Sequence, residues 1–86
     1  MMQDIKDVNG NIIGYMNVLD GEIDVFLNGK GKIGFINTLY PEVHKAYNSD
    51  SLKIAKWYKH DDCTYDAYNQ KIGKGDMLLE VLIQSV

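Results

Sequence analysis

The chain has 86 residues, of which 45% are hydrophobic and 24% are charged, and its formal net charge is −3. This length predicts one domain, residues 1–86, with the composition of an ordinary globular protein. The mildly acidic balance argues against non-specific nucleic-acid binding and against attachment to an anionic membrane. The longest near-apolar run, residues 77–83, is too short to cross a bilayer.

The cysteine content and the first residues favour a reducing compartment. Cys63 is the only cysteine, so an internal disulfide is impossible. Residues 1–7 lack the apolar core of a secretory signal peptide. We therefore predict a cytoplasmic location.

Turn dipeptides divide the first part of the chain into short segments. Asn9-Gly10, Asp20-Gly21 and Asn28-Gly29 are preferred in hairpin turns, because both residues tolerate positive φ. β-branched and aromatic residues fill the segments between them. This pattern predicts an antiparallel meander of about four strands over residues 4–36.

Two later segments depart from this pattern. Residues 37–42 predict a loop, with Leu39 and Tyr40 folded back onto the core, and residues 42–47 suit either a helical turn or a strand. Residues 77–86 are apolar on nearly every side and predict a closing strand or a short helix. The β-branched residues near their end favour the strand.

An isoleucine followed by a very small residue occurs four times, at intervals of 20, 21 and 18 residues. A turn asparagine precedes each step, so two independent series share one spacing. We predict four hairpin repeats of about 20 residues. Their approximate bounds are 4–20, 21–39, 40–60 and 61–76, and the four steps are Ile13-Gly14, Ile33-Gly34, Ile54-Ala55 and Ile72-Gly73.

A single hairpin is not stable in water, so the four must bury one another's apolar faces. We predict an all-β fold with the hairpins arranged radially around a pseudo-four-fold axis; a small closed antiparallel β-barrel is the alternative. Only small side chains fit beside such an axis. The predicted axis residues are Gly14, Gly34, Ala55 and Gly73. In a barrel the glycines would instead mark bulges or bends.

The repeated unit resembles that of the four-fold β-flower proteins. Asn9-Gly10 is followed by Ile13-Gly14-Tyr15, and Asn28-Gly29 by Ile33-Gly34-Phe35. The third copy is degenerate, and the fourth has Lys74 in place of the aromatic residue. The resemblance covers residues from about 5 to 75. It implies a radial four-bladed β fold in a small bacterial protein, and it implies no activity and no functional residues.

Residues 60–63 are the densest group of potential ligands and nucleophiles, and His44 could join them in space. Structural zinc sites require four ligands in paired spacings, and no second pair accompanies His60 and Cys63. A Cys63 nucleophile with His60 or His44 as its base would also need an oxyanion site, for which the sequence has no motif. We therefore predict no metal and no cofactor, and we favour a non-catalytic protein over an enzyme that uses Cys63 and His60.

Acidic residues supply no distinctive pair for acid–base chemistry. Most of them fall on polar strand faces or in turns, where they keep a domain soluble and discourage edge pairing. The residues considered are Asp4, Asp7, Glu22, Asp24, Asp61, Asp62 and Asp66.

Aromatic residues follow the small residue in three repeats, at Tyr15, Phe35 and Trp57, and Tyr58 adjoins the third. An end of the axis lined by these rings would be a concave, partly apolar ligand site. We therefore predict a scaffold that binds a protein or a small molecule. Contact with single-stranded nucleic acid through residues 53–60, where lysines alternate with rings, is the alternative, and the net charge argues against it.

Overall fold

The computed structural model describes all of residues 1–86, which form eight strands and one short helix. The predicted all-β class is confirmed. The strands are β1 (Met2–Lys6), β2 (Ile12–Leu19), β3 (Glu22–Leu27), β4 (Gly31–Tyr40), β5 (Val43–Asn48), β6 (Lys53–Tyr58), β7 (Cys63–Asp66) and β8 (Lys71–Lys74), and the helix is α1 (Leu78–Gln84).

Each strand pairs antiparallel with the next, which produces one sheet in the order β1 to β8. The meander predicted over residues 4–36 is confirmed as β1 to β4. Asp20-Gly21 forms the two-residue turn, because Leu19 pairs with Glu22. β1 and β8 are edge strands that do not pair with each other, so the closed barrel is wrong.

The C-terminal segment is helix α1, and the preferred closing strand is wrong. Leu78 and Leu82, one helical turn apart, are both fully buried against the sheet. The helix packs on β4, β5 and β6 and covers the apolar face that an open sheet would otherwise expose to water. No helix in the structure is long and apolar enough to span a membrane.

The predicted loop at residues 37–42 is largely strand. β4 extends to Tyr40, and residues 43–48 form β5, the strand of the two predicted alternatives. Leu39 and Tyr40 do not fold back onto the core, since 62% and 61% of their surfaces are exposed. They lie at a hairpin tip, where Thr38 N–H donates to the Gly21 carbonyl and lengthens the strand.

Each isoleucine of the four Ile–small steps lies at a β-bulge. In the pairs β1–β2, β3–β4, β5–β6 and β7–β8 the register shifts so that this isoleucine has no direct partner. The small residue after it pairs with a buried residue of the preceding strand. These buried partners are Ile5, Val25, Ala46 and Thr64. Such bulges bend a strand and increase its twist.

Gly14 and Gly34 are required by close approach of the next hairpin. A Cβ at Gly14 would overlap the Phe26 carbonyl oxygen, and one at Gly34 would overlap the Tyr47 carbonyl oxygen. Ala55 is also buried in the core, whereas a Cβ at Gly73 would lie 2.8 Å from the sulfur of Met77. The placement of these four residues around a common axis stays a prediction.

Candidate functional site

Lysines are concentrated on one face of the sheet. Side chains alternate along a strand, so the face opposite the helix, here called the outer face, carries the residues between the core positions. On β4 to β8 this face bears no acidic residue at a strand position. It bears six of the nine lysines: Lys32, Lys45, Lys53, Lys56, Lys71 and Lys74.

Four aromatic rings lie between these lysines. Phe35 and Tyr47 stack with their centroids 4.9 Å apart and their planes inclined by 13°. Tyr58 and Tyr65 meet edge to face at 5.7 Å. These rings and the six lysines are here called the basic aromatic face. A further stacked pair, Tyr15 with Phe26 at 4.6 Å, extends the row of rings onto β2 and β3.

Two of the lysines contact rings directly. Lys32 Nζ lies 5.5 Å from the centre of the Phe35 ring, and Lys56 Nζ lies 5.5 Å from that of Tyr58. Lys32 also forms an ion pair with Asp24 at 3.2 Å. The other five lysines of the face form no ion pair within the chain. Their charge is therefore not neutralised by the protein itself.

Two concavities adjoin the basic aromatic face, near opposite ends of β5. The larger, about 480 Å³, has a floor of Val43 and Tyr58 and is also lined by Glu42, Lys59 and His60. The smaller, about 180 Å³, is lined by Lys32, Gly34, Phe35, Asn48, Ser49 and Ser51. The strand length from Val43 to Asn48 separates them by about 17 Å.

A hydrogen bond joins Tyr65 of the basic aromatic face to Asp61 in the turn before β7. The Tyr65 hydroxyl donates to Asp61 Oδ2, which raises the pKa of Tyr65 to about 12 and lowers the pKa of Asp61. His60 lies 3.9 Å from the same carboxylate and 5.4 Å from the Tyr58 ring centre. Tyr65 therefore stays protonated and uncharged at neutral pH.

The four predicted ligand-binding residues do not form one site. Tyr15, Phe35 and Tyr58 lie on the outer face, whereas Trp57 lies on the inner face beside the core. Trp57 Nε1–H donates to Asp62 Oδ1 at 2.8 Å, and its ring centre is 5.0 Å from that of His44. Trp57 and Tyr58 are consecutive in one strand, so their side chains point to opposite faces.

The residues considered for metal binding and nucleophilic chemistry do not hydrogen bond to one another. Cys63 is buried, and its thiol donates to the Asp61 carbonyl oxygen at 3.3 Å. His44 Nδ1 lies 3.5 Å from Asp76 Oδ2. His60 is exposed and contacts Asp61 and Tyr58. The thiol is thus hydrogen bonded to backbone and not to an imidazole base.

Glu22 and Asp24 form an acidic pair that the sequence analysis did not single out. The two residues lie two positions apart on β3, so their side chains share the outer face. Their hydrogen bond, together with burial and charge repulsion, raises the pKa of Glu22. Their spacing of two residues within a predicted strand was the feature of the sequence that indicates a shared face.

The basic aromatic face was also missed, although the repeat contains its signal. Lysine directly precedes three of the four Ile–small steps, at Lys32, Lys53 and Lys71, and follows two of them, at Lys56 and Lys74. A bulge after each of the first three leaves the lysine on the outer face; Ile33 then lies in the core and Ile54 packs against it, whereas Ile72 is 41% exposed.

Comparison with protein-family models, with curated proteins and with solved structures found no match for this chain. The resemblance to β-flower proteins therefore stays a prediction.

Proposed function

We propose that this protein is a non-catalytic binding module that holds an anionic ligand on its basic aromatic face. The observation that carries the proposal is the segregation of charge. Six lysines and no strand acid share the outer face of β4 to β8, in a chain whose net charge is −3, and the strand acids Glu22 and Asp24 lie beside them on β3. Clustered charge of one sign raises the local concentration of a ligand of the opposite sign.

The shape of this face suits a ligand with both charged and apolar parts. The larger concavity has a volume within the range of small-ligand pockets, about 300–1,000 Å³. Val43 and Tyr58 offer apolar contact at its floor, while Lys59 and the neighbouring Lys56 supply positive charge. A lysine ammonium acts as a mobile point charge toward phosphate or carboxylate groups.

The scaffold that we propose is four copies of one hairpin around a pseudo-four-fold axis, as in the β-flower proteins. The four bulges at the Ile–small steps and the close contacts at Gly14 and Gly34 support this arrangement. We also propose a cytoplasmic location, which the free and buried thiol of Cys63 supports.

Chromatography on heparin, a sulfated polyanion, tests the proposal. At pH 8 the protein should be retained despite its pI of about 5.1 and should elute as salt rises. The variant Lys45→Gln/Lys56→Gln should elute at lower salt. Lys30→Gln is the matched control, since Lys30 lies in the exposed turn before β4. Failure of the parent protein to bind, or an equal shift from one Lys30 substitution, would refute the proposal.

A further inference from the structure

We infer that the anionic ligand is single-stranded nucleic acid, which lies across β4 to β8 with its phosphates on lysines and its bases against aromatic rings. This inference rests on the proposed function above, because it names the ligand of the same face.

Lysines and rings share two rows that cross the strands. In one row Phe35 lies opposite Tyr47, which lies opposite Lys53. In the next row Lys56 lies opposite Tyr65, which lies opposite Lys71. Adjacent strands are about 4.8 Å apart, so every ring of these rows is within one or two strands of a lysine. A strand of nucleic acid presents phosphates and unpaired bases side by side, so one strand lying along these rows meets both lysines and rings.

The kinds of residues present favour single strands over duplexes. Aromatic side chains reach the face of a base only when that base is unpaired. All nine cations of the chain are lysines. The protein therefore lacks the planar arginine fork that reads guanine edges in a major groove. We expect binding with little dependence on sequence.

The two concavities offer places where a base or a phosphate would be enclosed. Tyr58 in the larger one is approached by the Lys56 ammonium and the His60 ring, and Lys59 lines the same space. Phe35 in the smaller one is approached by Lys32. Lys45, Tyr47 and Lys56 lie on the outer face between them. Together they form a continuous path for a few nucleotides.

Fluorescence anisotropy with a labelled oligo-dT of about eight nucleotides tests this inference, since compact single-strand modules cover about 4–16 nucleotides. Its two other arms are a duplex of equal length and inorganic polyphosphate of equal charge as competitor. The single strand should bind at least tenfold more tightly than the duplex. Log Kd should rise linearly with log salt, by roughly 0.7 for each phosphate contacted.

Substitutions separate stacking from charge. Tyr58→Leu should weaken binding of the single strand about tenfold without changing the salt dependence. Tyr58→Phe, which keeps the ring, should restore the affinity and also shows that position 58 tolerates change. Tyr68→Leu is the matched control, because Tyr68 is 85% exposed in the turn before β8. Lys56→Gln should reduce the slope of log Kd against log salt by roughly 0.7. Circular dichroism verifies that each variant is folded.

Each outcome has a distinct meaning. If polyphosphate displaces the oligonucleotide as readily as unlabelled oligonucleotide does, or if the duplex binds equally well, the inference fails and the proposed anion-binding function stands. If the oligonucleotide does not bind but heparin retains the protein, the inference fails alone; if heparin does not retain the protein either, both fail. Equal effects of Tyr58→Leu and Tyr68→Leu overturn the assignment of the stacking ring.

Discussion

A hydrogen atom is the largest side chain that Gly14 allows. An added Cβ would overlap the Phe26 carbonyl oxygen and lie 3.0 Å from Leu27 Cδ2. Gly14→Ala should therefore lower the free energy of unfolding by about 3 kcal/mol, and Gly14→Val should prevent folding. Urea denaturation measures the loss.

The matched control for Gly14 is Gly10→Ala. Gly10 has φ of +84° but no atom within 4 Å of its ideal Cβ, so only backbone strain of about 1–2 kcal/mol opposes the change. Equal stability of the two alanine variants, or a folded Gly14→Val protein, would contradict both the steric argument and the axial placement of Gly14.

The acidic pair on β3 predicts that a single substitution raises thermal stability at neutral pH but not at low pH. Because the pKa of Glu22 is raised above 4.5, the folded protein binds this proton more tightly than the unfolded chain, and stability falls as pH rises through that range. Glu22→Gln should raise Tm by roughly 2 °C at pH 7 and by nothing at pH 3, where Glu22 is protonated. Glu42→Gln, at an exposed tip, is the control; a gain that is equal at both pH values would disprove the repulsion.

Tyr65 should ionise only well above the usual range for tyrosine. Its hydroxyl donates to Asp61, and the negative carboxylate raises the pKa of Tyr65 to about 12. The folded state is therefore progressively destabilised as pH rises from 10 toward 12. Ultraviolet absorbance titration should show a step near pH 12 that Tyr65→Phe removes and Tyr68→Phe leaves. Persistence of that step in Tyr65→Phe would be inconsistent with the hydrogen bond.

At the scale of elements, α1 depends mainly on packing, with one local contact in which the Leu78 N–H donates to Asp76 Oδ1 at 3.1 Å. The helix has seven residues, and Met77 at its N-cap makes no side-chain capping bond. A helix this short is not stable alone in water. Its stability comes from Leu78 and Leu82, which are fully buried on β4 to β6.

Truncation of one of these leucines should therefore show how much the packing of α1 contributes to the free energy of unfolding. Leu82→Ala should lower the free energy of unfolding by about 2–5 kcal/mol, from lost apolar burial and a residual cavity. The exposed Gln84→Ala serves as control and should change it by less than about 0.5 kcal/mol. If thermal unfolding of the two variants coincides, the helix does not close the core.

At the scale of the whole molecule, the sheet has two open edges, and lysines protect one of them. Lys71 and Lys74 lie on β8, whose outer backbone edge has no partner strand. Charged side chains on edge strands oppose pairing with a second copy. Lys71→Val/Lys74→Val should therefore associate at high concentration, which sedimentation velocity detects. Lys30→Val/Lys59→Val changes the net charge equally outside the strands and should stay as monomeric as the parent.

The net charge of the whole molecule does not show how its charges are distributed over the surface, and that distribution matters for binding. The value of −3 argues against a polyanionic partner. The strand register nevertheless places six lysines on one side of β4 to β8, and most acidic residues lie in turns or at strand ends. Electrostatic attraction decays within about 10 Å in ordinary salt, so a ligand responds to the face and not to the total.

The amino-acid sequence alone determined the strands, most of the turns and the positions of the Ile–small steps, because these depend on local φ preferences and on side-chain alternation. Gly10, Gly21 and Gly29 adopt positive φ as predicted, whereas the residue before each of them does not. The identity of the tail was undetermined, since a short apolar run suits a buried strand or a buried helix equally well. The tail forms α1 because the open sheet leaves an apolar face that a helix can cover.

The candidate site likewise depended on tertiary structure. Each lysine was visible in the sequence, and its spacing relative to the isoleucines was regular. Whether these lysines shared a face depended on the bulges, because one extra residue in a strand reverses the side on which all later residues lie. That register is set by pairing between neighbouring strands, and no local pattern encodes it. The sequence thus determined which residues repeat, and the paired strands decided that their charges and rings meet on one surface.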